Sequence, residues 1–483
     1  MNSNNKKEQK DPTKENIKFI LELFNSSKLT EAKKEIDKQI IKYPNSSILF
    51  NIFGAVLAGQ NQFDKAVENY KKAIKINPNY AQAYNNLGTV FHQSDKINEA
   101  IDNYKKAISL NSDFAEAFCN LGNAIRELNK PTDALPYIKK AIKIKPDYAE
   151  AYNSLGETYQ SLRNKKEALD NFEKAIKIKP NYAEAYNNLG LALDDLARFD
   201  ESLLSYNKAI KAKPNYEKPY NNLGNLLSNL GKYDEANDLY LKTIKIKPDH
   251  ASAYSNLLFN YNYMINYDPN LYLSYAKKYR LNCKSIKKNL SFKYQYEKNP
   301  KKLKLGFVSA DFGNHPGGFH TLSTLRELRK RNFELVAYST NDRNDEFSLH
   351  FRPLFSKWNS IQKKKDINVI EQIFKDGIHI LIDLQGHSAL NRLSIFMYKA
   401  APIQASWLSQ GSLGIPEVDY LVGSPHVTPK NEENHYVEKV WRLPEICQVF
   451  TPPDFDLPIN SLPALENNFV TFGCINKLTK IHD

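Results

Sequence analysis

Four cysteines in 483 residues (Cys119, Cys283, Cys447 and Cys474), with no CxxC pair among them, argue against a disulfide-stapled scaffold or a cysteine-based zinc site. They fit reduced thiols. Also lacking is any run near the ~18 apolar residues of a membrane span. The opening stretch, MNSNNKKEQKDPTKEN, is polar and has no signal-peptide centre. These absences predict a cytoplasmic chain with no membrane partner. Acidic charge falls short of basic charge, 54 residues against 67, leaving a net charge of +13. The excess does not point to nucleic acid, because the lysines recur in pairs at Lys71-Lys72, Lys105-Lys106 and Lys139-Lys140, one solvated face copied along the chain. At this length the chain exceeds one ordinary core, so more than one domain is expected.

What is present is a period. Gly54, Gly88, Gly122, Gly156, Gly190 and Gly224 stand 34 residues apart. Ala32, Ala66, Ala100, Ala134 and Ala168 keep the same step, with Ser202 in the next slot and Ala236 after it. Pro44 and Pro78 continue through Ser112 to Pro146, Pro180, Pro214 and Pro248. Three independent columns in one register resemble the tetratricopeptide repeat, a helical hairpin that stacks on its neighbours. About seven units fit residues 13–250. In a unit such as Ala81 to Gln93 followed by Ile97 to Leu110, the first helix carries Tyr84, Leu87 and Gly88, and the second carries Ala100, Tyr104 and Ala107 at helical spacing for packing on its neighbours. The glycine allows close approach, and the proline ends the second helix. No single hairpin buries its apolar face, so stability has to come from stacking.

Two residues before the glycines stand Asn86, Asn120, Asn188 and Asn222, with Asn256 one period later; Ile52 and Ser154 interrupt the row. A carboxamide both donates and accepts, so such a row suits an extended polypeptide backbone whatever its side chains. The alternative is that the amides bond within the helix pairs.

From Leu257 to about Asn299 the period fades into an amphipathic stretch that reads as a cap and linker (251–300), with a boundary at Lys298 to Lys302. Short apolar runs then read as strands: Leu303 to Ser309, Phe333 to Tyr338, Ile378 to Leu384, Ile403 to Leu408 and Phe469 to Cys474. Helical patterns at Thr321 to Lys330 and Asn368 to Asp376 lie between them. Alternating strand and helix predicts a mostly parallel, doubly wound sheet, with ligands at the carboxyl ends of its strands. Two such ends stand out. Strand one runs into Asp311-Phe312-Gly313-Asn314-His315-Pro316-Gly317-Gly318, a glycine-rich turn opening a helix, where free N–H groups suit an anion. It matches neither the P-loop nor the GxGxxG pattern. The third strand ends in Asp383-Leu384-Gln385-Gly386-His387-Ser388. Eight of the ten histidines follow residue 300; His350, His379, His426 and His435 read as structural or surface residues.

At these residues a family resemblance emerges. The strings LGFVSADFGNHP, DGIHILIDLQGHSALNRLSIFMYKAAPIQASWL and IPEVDYLVGSPHVTP resemble the amino-terminal catalytic lobe of the protein O-linked N-acetylglucosamine transferase family, which carries tetratricopeptide repeats in front of that lobe. The resemblance implies a tetratricopeptide-repeat α-solenoid (13–250) followed by a Rossmann-like lobe (301–466), half of a GT-B-type glycosyltransferase unit, with residues 1–12 disordered and 467–483 opening a second lobe. It implies sugar transfer from a UDP-sugar to Ser or Thr of proteins, with no metal and no further cofactor. By the family's motifs, His315, His387 and Asp383 are the catalytic candidates. Asn314, Pro316, Gly386, Ser388 and Gln410 are the substrate-binding ones. Asn86, Asn120, Asn188, Asn222 and Asn256 would hold acceptor polypeptide in the repeats. Where the family pattern is WLGYPGTTG this chain has Trp407-Leu408-Ser409-Gln410-Gly411-Ser412-Leu413-Gly414, so another hexose is an open alternative. The family's second lobe carries most uridine and diphosphate contacts, and the chain stops at Asp483. The resemblance therefore implies feeble UDP binding and little turnover by these residues alone, or a non-catalytic peptide-binding scaffold.

Changing Asn120, Asn188, Asn222 and Asn256 together to Ala, with helicity retained by circular dichroism, is expected to weaken capture of an extended peptide by about 0.5–1.5 kcal/mol per lost amide contact. Unchanged affinity would exclude the amide row as the peptide clamp.

Overall fold

The computed structural model describes residues 11–264, 267–284, 290, 292–294, 300–449 and 451. The strand expected over Phe469–Cys474, the expected second-lobe start at 467–483 and nearly all of the expected disordered start lie outside these residues. No described helix is long and apolar enough to cross a membrane. Packing divides the chain into two compact units, Met1–Pro214 and Asn215–Asp483.

The first unit is a run of twelve helices among the described residues, α1 (Lys14–Asn25) to α12 (Phe199–Ala212), paired as six hairpins. In the hairpin of α5 (Ala81–Gln93) and α6 (Ile97–Leu110), a β-carbon on Gly88 would lie 2.7 Å from the Tyr104 ring. Gly54 meets Tyr70 at 2.6 Å, Gly122 meets Ile138 at 2.4 Å, Gly156 meets Phe172 at 2.5 Å and Gly190 meets Tyr206 at 2.7 Å. Contacts below 3 Å leave no room for a methyl group, so only glycine lets the helices close on the large side chain. Tyr104, Phe172 and Tyr206 are almost wholly buried as a result, each burial stabilising by about 1.5–3 kcal/mol. The alanine column (Ala32, Ala66, Ala100, Ala134, Ala168) is also fully buried.

A further column emerges at the helix ends. Ser27, Asn61, Asp95, Asn129, Arg163 and Ala197 all take a left-handed backbone, φ 56 to 62°. Each sits where the first helix of a hairpin stops, and the next N–H reaches back five residues, as from Gln62 to Leu57 O (2.9 Å) and from Arg198 to Leu193 O (2.9 Å). The left-handed turn reverses the chain into the second helix.

The second unit opens with another hairpin, α13 (Glu217–Asn229) and α14 (Tyr233–Ile246), where Gly224 faces Tyr240 at 2.6 Å and Gly231 takes the left-handed turn. Two more helices follow, α15 (Ala251–Tyr261) and α16 (Pro269–Asn282). Among the described residues, seven parallel strands then form one sheet: β1 (Leu303–Ser309), β2 (Phe333–Ser339), β3 (Lys357–Ser360), β4 (Ile380–Asp383), β5 (Ile403–Trp407), β6 (Tyr420–Gly423) and β7 (Lys439–Arg442), in the order β3-β2-β1-β4-β5-β6-β7. The doubly wound parallel sheet expected from strand–helix alternation is present. The sequence reading lacks β3, β6 and β7.

Side chains alternate across the sheet. Leu305 and Phe307 join Leu322 and Leu325 of α17 (Pro316–Lys330) on one face. Val308 and Leu381 join α18 (Asp366–Lys375) on the other, together with Tyr254 of α15 and Tyr279 of α16. The last two helices are therefore part of the sheet's own core. Because strand order reverses between β1 and β4, their carboxyl ends flank the crevice where open α/β sheets bind ligands.

A non-glycine residue in the left-handed region costs on the order of 1–2 kcal/mol. Ala197→Gly should therefore raise the unfolding free energy by about 1 kcal/mol, and Gly190→Ala should lower it by more, because of the Tyr206 ring. Urea titration checks both, and equal midpoints for the two variants would rule this account out.

Candidate active site

The crevice is built from the turn after β1 and the turn after β4. In the first, His315 is the N-cap of α17, and its Nδ1 accepts the Gly317 N–H at 3.2 Å. A β-carbon on Gly318 would lie 2.2 Å from Gly313 O, so the turn folds this tightly only with glycine there. Asp311, almost buried, places Oδ2 3.2 Å from the same His315 Nδ1. One nitrogen cannot accept from Gly317 and donate to Asp311 at once. Burial lowers the His315 pKa from its ordinary 6.5, against an opposing pull from Asp311. Burial likewise raises that of Asp311, against His315 and Arg343. The ring is thus neutral near pH 7, and its two tautomers give Nε2 opposite roles: a donor when Nδ1 caps the helix, an acceptor when Nδ1–H turns to Asp311. The His315 side chain keeps 40% of its exposure, and Asn314 and Pro316 beside it are exposed.

Arg343, in the loop after β2, organises this turn. Its Nε donates to Ala310 O (2.9 Å), and a terminal nitrogen lies 3.5 Å from Asp311 Oδ1. Asp345 accepts the Asn314 N–H at 3.0 Å. Neither residue follows a recognisable motif, so the sequence reading lacks both.

The second turn faces inward. Asp383 is 2% exposed and accepts three bonds, from Gln385 N (3.2 Å), Gly386 N (2.8 Å) and Ser406 Oγ (2.8 Å). It thereby ties the end of β4 to β5. Burial raises its pKa to about 6, against those three bonds. Gly386 has φ +55°, and a β-carbon there would meet Ser409 Oγ at 2.6 Å. Ser388 is half-buried at the end of the turn.

His387 is 6% exposed, with both nitrogens engaged: Nδ1 with Ser255 Oγ (3.3 Å) and Nε2 with Leu413 O (3.2 Å). The Tyr279 ring stands edge-on to it, centroids 5.1 Å apart. Sequence reasoning places this imidazole toward substrate beside Ser388; in the structure it points into the core, locking α15, α16 and the β5 loop together. Burial lowers its pKa to about 4, so it is the neutral Nε2–H tautomer, accepting from Ser255.

The divergent loop after β5 is equally anchored. Buried Glu438 accepts from Ser412 Oγ (2.7 Å), Leu413 N (3.1 Å) and Ile415 N (3.4 Å). A β-carbon on Gly411 would meet the Tyr272 hydroxyl at 2.7 Å, and one on Gly414 the Ala276 carbonyl carbon at 2.3 Å. Gln410 is exposed, lining a separate cavity of about 230 Å³ with Tyr261, Tyr267 and Tyr436. The structure thus brings Asp311, Asn314, His315 and Pro316 together on the outer turn, and sets Asp383, Gly386 and His387 behind it as its frame.

The chain's relationships fit this architecture. Residues 277–450 match the model of glycosyl transferase family 41. Residues 54–129 match a TPR-repeat model, and 115–148, 149–182, 183–216 and 205–236 match tetratricopeptide-repeat models. Tetratricopeptide repeats lead into a glycosyl transferase family 41 domain. A tomato (Solanum lycopersicum) protein named as a probable UDP-N-acetylglucosamine–peptide N-acetylglucosaminyltransferase, SPINDLY, is 32% identical over 184 residues, 37% of this chain and 20% of its own length. An Arabidopsis thaliana protein of the same designation, SEC, is 30% identical over 44% of this chain and 24% of its own. The chain therefore spans about a fifth to a quarter of these relatives. A solved Thermobaculum terrenum O-GlcNAc transferase mutant superposes with a TM-score of 0.57 at 24% identity, covering 63% of this chain and 59% of that one, a likeness of fold.

Protonating His387 means charging a buried ring. Its folded pKa lies below the ordinary 6.5, so its contribution is complete above pH 6.5 and is lost as pH falls toward 4. Roughly 3 kcal/mol of unfolding free energy should disappear across that window and be absent from His387→Gln. Denaturant titrations at pH 4 to 7 check this; the same slope in the variant would remove His387 as its source.

Proposed function

We propose that this chain contributes the lobe of a glycosyltransferase that carries N-acetylglucosamine from a UDP-sugar to a Ser or Thr hydroxyl of a polypeptide, the repeats holding that polypeptide. The carrying observation is the outer turn: a neutral, partly exposed His315 with Asp311 behind its Nδ1, at the strand-order switch and the start of α17. The acceptor oxygen would attack the anomeric carbon while the bond from that carbon to the diphosphate oxygen breaks. The bonding pair leaves with UDP, and the hydroxyl proton must go to a base. With Nδ1–H turned to Asp311, His315 Nε2 can take that proton; with Nδ1 capping α17, Nε2–H can instead hold a sugar or phosphate oxygen. Asp383 and His387 act as positioning residues. The N-terminus of α17, partly open to solvent at Pro316 and Gly317, suits the negative diphosphate. Buried, unpaired Cys119, Cys283 and Cys447 suit a cytoplasmic setting.

In this chain joined to a second lobe from a relative, His315→Ala is expected to lower turnover of a Ser-containing acceptor peptide with UDP-N-acetylglucosamine by roughly 10²–10⁴-fold, the usual scale of general acid–base help. Because burial lowers the His315 pKa, the acid limb of kcat/KM should lie below pH 6.5, and it should move to still lower pH in Asp311→Asn, which removes the charge that pulls the pKa up. Mass spectrometry of the peptide gives the rates. Turnover of His315→Ala equal to wild type would remove the histidine from the chemistry.

A further inference from the structure

The asparagine row is a ladder between successive hairpins. Asn86 donates Nδ2 to Asn51 Oδ1, Asn120 to Asn85 and Asn188 to Asn153, each at 3.0 Å, and Asn256 to Asn221 at 3.3 Å, always to the residue 35 positions earlier. One rung differs. Cys119 and Ser154 occupy both of its positions at once, with the thiol 3.5 Å from the hydroxyl. Two carboxamides are replaced by two smaller groups, and a cavity of about 560 Å³ opens at that rung.

Its walls favour a donor. Asn123 Oδ1 is buried and has no hydrogen-bond partner, and an orphaned acceptor of this kind calls for an incoming N–H. Glu157 is matched by Arg126 (2.7 Å) and Glu150 by Lys179 (2.8 Å). Glu116 holds only the Asn85 amide (2.9 Å) and makes no ion pair among the described residues. Tyr148 and Tyr182 complete the wall, and each ring already has an ammonium near its face, Lys145 at 5.1 Å and Lys179 at 4.5 Å.

We propose that this interrupted rung is a specificity pocket for an arginine side chain of the polypeptide bound along the repeats. It rests on the reading that the repeats hold a polypeptide. Arginine suits it better than lysine, because acceptors on several walls match a planar group with five donors.

The test uses the full chain and two labelled peptides of otherwise polar sequence, one with a central Arg and one with Gln there, titrated by fluorescence anisotropy. The Arg peptide should bind roughly 10–100-fold tighter. Glu116→Gln, which keeps the Asn85 bond, should erase most of that preference and leave the Gln peptide unaffected. Cys119→Asn with Ser154→Asn rebuilds the rung and fills the cavity, and should likewise retain Gln-peptide binding while losing the Arg preference. Equal affinity for the two peptides, or a preference that survives the rebuilt rung, overturns the pocket while leaving peptide capture intact. Capture of neither peptide overturns both.

Discussion

Everything in the repeats depends on one distance, the approach of a glycine to a large side chain across each hairpin. At Gly88, Gly156, Gly190 and Gly224 an aromatic ring occupies the space a β-carbon would need. That contact sets the helix separation, and the separation sets where the next residues along the first helix fall. Only then do Asn51 and Asn86, or Asn153 and Asn188, come within 3.0 Å of one another. The polar ladder is therefore a product of apolar packing. Each rung adds about 0.5–1.5 kcal/mol of net stability, less than the burial that brings it together.

In the second unit the same logic carries over to the sheet. Tyr254 and Tyr279, from helices that follow the last hairpin, share a core with Val308 and Leu381. The turn after β4 inherits its position from them through His387, and the loop after β5 from Tyr272, Ala276 and Glu438. The outer turn, with His315, rests instead on Arg343 and Asp311. A rigid inner frame and a partly exposed outer turn are what a site needs when one group has to change its hydrogen-bond partner.

The period was legible because glycine, alanine and proline each answer a steric demand that few residues meet. The left-handed column was not, because Ser27, Asp95, Arg163 and Ala197 tolerate that backbone at a modest cost and share no chemistry. β1, β2, β4 and β5 read clearly as apolar runs buried on both faces. β3, β6 and β7 are four residues each, and Lys357–Ser360 and Lys439–Arg442 carry charge at the sheet's two edges. The site was half legible. Motif strings located both turns, but a sequence does not say which way an imidazole points, and His387 turns inward because Ser255, Leu413 and Tyr279 surround it. Arg343 left no signal at all, since its role lies in three-dimensional proximity to Ala310 and Asp311.

Ser255 occupies the same repeat position as Asn51, Asn85, Asn153 and Asn221, the position that elsewhere receives the amide of the following hairpin. Here its hydroxyl meets His387 and Asn391 instead. The enzyme-like domain thus occupies the place where one more hairpin would dock. Duplication or loss of whole 34-residue units can lengthen or shorten the array upstream without disturbing the lobe. The final step carries no such freedom, because a unit inserted after it would separate Ser255 from the ring it holds. The evolutionary history of repeat number in this architecture should accordingly be written at its amino-terminal side.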